Sequence, residues 1–410
     1  MRQSFAVAAV ATALVAGPLV SSAQAVSPCV VSAGSTLCLT VPDGALSGDV
    51  TISADWASTK SATVEFTLDG AYLNFEYQRP YSFTWPTGKE VDGRHVLAAR
   101  VHKGSTYGVS VSTTVDLRNG NATAAGIPRT RADYATLFSP QPGGVLAAVG
   151  NAGAEKPDEK RLLSYIQSTA PSALLYLGEV HEYGSWATRL DHYGRASFDD
   201  PSGKGTLWGA MARYTLATQG NHERDYITEY EDYWHQRPLW STTVVDGIRI
   251  YDLTSECKAN GGCLSKGAQY TWLSNQLSSN TEHCVVAMWH RPLVSQDKKR
   301  SGGTYMLPTW AALAAHGGDL VLNADTRDME EVAPMNGSLA TGQPDSHMVE
   351  LVSGAAAARW VANVTADSRV DWRVYRVPGA VFVSRSGDTL SWQFRDASGA
   401  VLRTGSVACT

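Results

Sequence analysis

The sequence predicts an α/β protein preceded by a small all-β unit, and three observations carry that expectation. Short β-type runs with regular turn signals fill residues 26–119. A segment rich in Gly, Asn, Ala and Thr follows. Beyond it, apolar strand-like runs alternate with amphipathic helical ones.

In the first region, Thr51-Ile52-Ser53, Thr63–Thr67, Val96–Val101 and Val109–Ser112 alternate in character or favour β-branched residues. Leu68-Asp69-Gly70 and Val91-Asp92-Gly93 supply turns between them. Period-two strands at this spacing suggest an immunoglobulin-like sandwich. No catalytic cluster is visible in it. A spacer, or a module for a glycan or another cell-surface ligand, is the expected role. Residues 120–139, opening Gly120-Asn121-Ala122-Thr123, read as a linker.

Residues 140–410 read as the larger domain. Strands are expected at Gly144–Val149, Ala173–Leu177, Tyr214–Thr218, Ile248–Leu253, Cys284–Trp289, Leu320–Asn323 and Met348–Val352. Helical stretches are expected over Lys160–Gln167, Gln269–Leu277 and Pro308–Ala315, the first opened by acidic residues at Pro157-Asp158-Glu159. In such a core, functional side chains collect where strands end.

The chain of 410 residues is too long for one typical core. Its first 25 residues combine an early Arg2, an apolar run and a small-residue Ala23-Gln24-Ala25 ending. Those features mark a secretory signal rather than a membrane span, so a secreted, extracellular protein is expected. Removing Arg2 with that segment changes the formal charge from -5 to -6. A balance this mildly acidic offers no electrostatic footprint for nucleic acid or an anionic membrane. Six cysteines in an oxidising compartment favour disulfides over thiol or zinc chemistry. Cys29/Cys38 and Cys257/Cys263 are close enough to close small loops, which would leave Cys284 with Cys409. Spacing alone does not fix that connectivity.

Five expected strand ends carry polar or ionisable groups. They are Gly150-Asn151-Ala152-Gly153, Gly178-Glu179-Val180-His181, Gly220-Asn221-His222-Glu223, Met288-Trp289-His290-Arg291-Pro292 and Asn323-Ala324-Asp325-Thr326-Arg327. One such loop means little, but five in register form a constellation.

This series resembles the calcineurin-like metallophosphoesterases, particularly their secreted bacterial purple-acid-phosphatase-like branch. That family shows Asp-x-His or Asp-x-Gly, then Gly-Asp, Gly-Asn-His-Asp/Glu, a lone His, and Gly-His-x-His. Gly220-Asn221-His222-Glu223 matches intact, and the resemblance spans roughly residues 140–410. It implies a four-layer α/β/β/α sandwich, two metal ions bridged by a carboxylate, and phosphoester hydrolysis by in-line attack.

Carried over residue by residue, the resemblance assigns metal-ligand roles to Glu179, Asn221, His290 and Asp325, and a phosphate-facing catalytic role to His222. Asn151, His181 and Arg327 are degenerate metal positions. Asn151 stands where an Asp belongs, Arg327 where a His belongs, and His181 or Tyr183 near the tyrosinate of the purple enzymes. Arginine has no lone pair to donate and stays protonated. A dication about 4 Å from it would be repelled by about 8 kcal/mol at an effective dielectric near 20. One divalent ion (Mn, Fe, Zn or Mg) is therefore expected, and two-metal occupancy is not. Arg327 is expected to fill the lost position and pair with Glu179 or Asp325, and, as a bidentate phosphate binder, to serve catalysis beside His222.

Two functional classes follow. One is an impaired or non-catalytic relative of phosphoester hydrolases. The other is an active phosphohydrolase working with one metal on a phosphorylated small molecule. An extracellular adhesion module is compatible with either.

Overall fold

The computed structural model describes residues 25–32, 34–58, 62–76, 79–103, 106–120, 137–152, 157–180, 193–199, 204–235, 237–257, 263–297, 303–356 and 364–410. The signal segment before Ala25, most of the expected linker, and His181 lie outside the described residues.

Two five-stranded sheets form the amino-terminal region. One runs Ala25–Val26, Ser35–Pro42, Asp49–Ala57, Tyr81–Pro86, with Cys29–Ser32 also pairing to Ser35–Pro42. The other runs Ala45–Leu46, Thr106–Leu117, Gly93–Lys103, Thr63–Leu68, Ala71–Glu76. Burial along Asp49–Ala57 alternates strictly, as a strand with one wet face requires. Leu37, Ile52 and Phe83 from the first sheet meet Phe66, Leu97 and Val111 from the second in one apolar core.

A mixed α/β region follows, with two larger sheets. The six-stranded sheet has the order Thr215–Ala217, Ala173–Tyr176, Val145–Val149, Gly379–Ser386, Thr389–Asp396, Val401–Ala408. Its first three strands are parallel and the remainder form antiparallel hairpins. The seven-stranded sheet has the order Ser241–Val245, Ile248–Asp252, Cys284–Met288, Leu320–Asn323, Val349–Ser353, Met329–Val332, Val370–Val374.

Alternation decides what covers each face. Leu146, Leu175 and Val381 of the six-stranded sheet share a buried cluster with Ile250, Val286 and Leu322 of the seven-stranded one. The opposite-facing Ala147, Leu174 and Tyr176 pack with Leu162 and Ile166 of helix Pro157–Thr169. Val285, Ala287 and Val321 likewise pack with Leu273 and Leu313, from helices Ala268–Ser278 and Leu307–Ala315. The predicted strands and helices of this region appear within about three residues of their expected bounds.

Three disulfides, Cys29–Cys38, Cys257–Cys263 and Cys284–Cys409, use all six cysteines. The last ties the chain end to the first residue of the Cys284–Met288 strand. The carboxylate of Asp319 accepts from the backbone of both Val285 and Thr410 at the same edge.

The two regions touch through strand Ala71–Glu76. Phe75 joins the buried cluster that contains Tyr193 and Trp234. Beside it, Glu76 takes an Arg195 guanidinium at 2.6 Å and an Asn74 amide at 2.8 Å. No helix among the described residues is long and apolar enough to cross a membrane.

Candidate metal centre

The parallel strands of both sheets end on the same side, and hydrogen bonds stitch their ends together. Gly150 donates to the Ser353 carbonyl, linking one sheet to the other, and Asn151 donates to the Gly178 carbonyl. Ala324 donates to the His290 carbonyl. The loops must approach closely, and two glycines permit it. A Cβ on Gly178 would lie 2.7 Å from His290 Nδ1, and one on Gly220 would lie 2.6 Å from the Glu179 nitrogen.

Glu223 fastens this arrangement. Its buried carboxylate accepts from the backbone N–H of Gly220 at 2.8 Å, Glu179 at 3.0 Å and Val180 at 2.9 Å. The last residue of the Gly-Asn-His-Glu motif therefore works as a clamp between two loops. Buried Tyr176 adds a second fastening by donating its hydroxyl to the Glu179 carbonyl at 2.8 Å. Neither role was assigned from the sequence; the only signal for Glu223 was its place in the motif.

Glu179, His290 and Asp325 are all buried, and each offers a ligand atom within 4.8 Å of the others. His290 Nδ1 lies 2.7 Å from the Leu177 carbonyl. Donation there fixes the tautomer and leaves Nε2 facing the cluster, the arrangement found behind metal-bound histidines. Three oxygens converge on that Nε2: Asn221 Oδ1 at 3.2 Å, Glu179 Oε1 at 3.5 Å and Asp325 Oδ1 at 3.8 Å. Donors sharing one ion at ordinary bond lengths sit roughly 3–4 Å apart. The donor set thus fits a single divalent cation.

The electrostatics agree. Burial alone would push His290 down, but its contact with Glu179 and the negative charge of Asp325 outweigh that and raise it to about 9. Burial would likewise raise Glu179, yet His290, His222 and Arg327 hold it down to about 2. Without an ion, the imidazolium supplies the positive charge these oxygens require.

The Asn151 and Arg327 side differs. Asn151 Nδ2 donates to Glu179 Oε2 at 2.6 Å, occupying the second oxygen of the carboxylate. Asn151 Oδ1 is buried and has no hydrogen-bond partner among the described residues. Arg327 is only 5% exposed, and its charge reaches Glu179. Asp325 is held by Arg291 Nη1 at 3.2 Å. His222 Nε2 lies 3.4 Å from Glu179 Oε1 and keeps 27% of its side chain open to solvent.

Asn151, Glu179, Asp325 and Arg327 share a further property. All four have left-handed backbone, with φ of 61°, 61°, 58° and 50°. Each costs about 1–2 kcal/mol for a residue with a Cβ. Such strain concentrates at functional sites, and nothing in the sequence signalled it.

No protein-family model matches the sequence, and no curated protein matches it. Solved structures do. A purple acid phosphatase isolated from yellow lupin (Lupinus luteus) seeds superposes with a TM-score of 0.54 at 11% identity, over 91% of this chain and 79% of that one. GAP50, the anchor in the inner membrane complex of Plasmodium, gives 0.47 at 13% identity, over 65% and 89%. YfcE, a phosphoesterase from E. coli, gives 0.30 at 11%, over 65% and 100%. At these identities the likeness concerns architecture alone, and the fold is similar to that of the lupin purple acid phosphatase.

Proposed function

We propose that this protein is a secreted relative of the calcineurin-like metallophosphoesterases that binds one divalent cation and a phosphoester, with hydrolysis impaired or lost. The observation that carries the reading is the convergence of Glu179, Asn221 and Asp325 oxygens on a His290 Nε2 whose tautomer is set by Leu177. In this reading the layers run α/β/β/α, which the alternate burial of both large sheets supports, and the amino-terminal sheets form an immunoglobulin-like unit. Three disulfides support an oxidising, extracellular setting.

Glu179, Asn221, His290 and Asp325 would hold the ion, which when bound supplies Lewis-acid stabilisation of charge on phosphate oxygens. The chain's own residues do the rest. Arg327 and Asn151 occupy the neighbouring position, satisfying Glu179 without a second ion. His222, which is partly exposed, can hydrogen-bond a phosphoryl oxygen or give a proton to a leaving group. One ion with Arg327 forfeits part of the charge stabilisation on which phosphoryl transfer depends.

His222 also favours a second reading, slow single-metal hydrolysis, because it combines contact with Glu179, a titratable ring and a face open to solvent. Metal analysis of protein loaded with Mn, Fe or Zn, run beside a p-nitrophenyl phosphate assay, tests both. One ion with no turnover fits the first reading, and one ion with His222-dependent turnover fits the second. Two ions with fast turnover would refute the account of Asn151 and Arg327.

A further inference from the structure

A cleft of about 540 Å³ lies on the Arg291 side of the cluster. That is the size of a small-molecule site rather than a peptide groove. One wall is the Cys257–Cys263 disulfide followed by Leu264, a residue 61% exposed. Tyr305, Arg224, Ser255 and Glu256 also line the cleft.

One side chain links the cleft to the candidate metal centre. Arg291 lines it, and sends Nη1 to Asp325 at 3.2 Å and Nε to Glu256 at 2.7 Å. Two carboxylates therefore already answer the guanidinium charge, so at Arg291 the cleft offers a flat, largely neutralised face. A disulfide and an exposed leucine supply carbon and sulfur surface, with few polar atoms for hydroxyls or the edges of a base.

We infer that this cleft takes the uncharged, apolar organic group of a phosphomonoester, an aryl or alkyl phosphate in preference to a sugar phosphate or nucleotide. The inference rests on the proposed phosphate-binding role of the centre built on Glu179, His290 and Asp325. The phosphate would face that centre, while the organic group lies against Leu264 and the disulfide.

Calorimetric titration of the full chain, loaded with Mn, tests it using inorganic phosphate, 1-naphthyl phosphate, glucose 6-phosphate and 1-naphthol. We expect 1-naphthyl phosphate to bind at least about tenfold more tightly than inorganic phosphate, a difference of about 1.4 kcal/mol. Glucose 6-phosphate should show no such gain. Leu264→Ser, at an exposed position outside the metal cluster, should remove most of the naphthyl advantage and leave inorganic phosphate unchanged. Equal affinities for the three phosphates, or a Leu264→Ser variant identical to the parent, would overturn the inference. Binding of 1-naphthol that is sensitive to Leu264→Ser, with no binding of inorganic phosphate, would uphold the cleft's preference and refute the phosphate role of the centre. Binding of inorganic phosphate with no response to any naphthyl compound would do the reverse.

Discussion

Glu179 has two carboxylate oxygens, and they face two different worlds. Oε1 looks toward His290, Asp325 and His222, where oxygens and ring nitrogens stand at coordination spacing. Oε2 accepts a hydrogen bond from Asn151, whose Oδ1 lies beside Gly354 next to the backbone of buried Arg327. The same left-handed backbone supports both sides. The difference therefore lies in side-chain chemistry laid on a common scaffold: one side gathers lone pairs, the other supplies protons in their place.

Removing the ring should give the largest effect. His290→Ala deletes the donor on which the oxygens converge, and we expect at least about a 100-fold loss of divalent-ion affinity, since even outer partners of metal ligands are worth 10–100-fold. Isothermal titration with Zn or Mn measures it; unchanged affinity would mean that the oxygens do not form a site. Converting the other side should come next. Asn151→Asp combined with Arg327→His replaces an amide and a fixed cation by two lone-pair donors, and metal analysis should then find a second ion per chain. If the count stays at one, the two sides differ by more than those two residues.

The clamp shared by both sides gives a smaller change. Glu223→Gln turns one acceptor oxygen into a donor facing backbone N–H groups, for an expected loss of about 1–3 kcal/mol in urea unfolding. A stability equal to the parent would show that the loops are held elsewhere.

The smallest expected effect concerns the support behind the His290 loop. Glu350 is pushed up to about 8 by burial, against the opposing backbone donors of Leu293 and Val294. The folded chain thus keeps a proton that an ordinary glutamate, at 4.5, releases. The stability linked to that proton is complete below pH 4.5 and is lost as pH rises toward 8. Denaturation at pH 5 and pH 8 should show the decline, and Glu350→Gln should flatten it. A slope unchanged by Glu350→Gln would assign the decline to other acids, such as Asp252 or Asp319, each raised to about 6 by burial.

Much of the α/β region was legible because apolar runs and their polar ends lie along the chain itself. The loops carrying Asn151, Glu179, Asn221, His290 and Asp325 could be found one at a time, and their likeness to a known series supplied the order. What stayed hidden depends on neighbours far apart in sequence. Glu223 clamps Glu179 and Val180 from more than 40 positions away, and Glu350 reaches Leu293 from 57. The role of Tyr176 and the left-handed backbone at four site residues left no compositional trace. His181 falls outside the described residues, so the structure adds nothing to its reading.

Strand Ala71–Glu76 has a consequence for how this chain could be recombined. Phe75 sits in the aromatic cluster of the larger region, and Glu76 holds Arg195, twelve positions before helical Leu207. A freely exchangeable module would end at its linker, whereas this one leaves an anchor in its neighbour's interior. Swapping the front unit for another would strip a ring from that cluster and remove the Glu76 carboxylate from Arg195. The two regions are thus coupled through this strand, and replacing Phe75 or Glu76 alone should weaken the packing around Trp234 and Arg195.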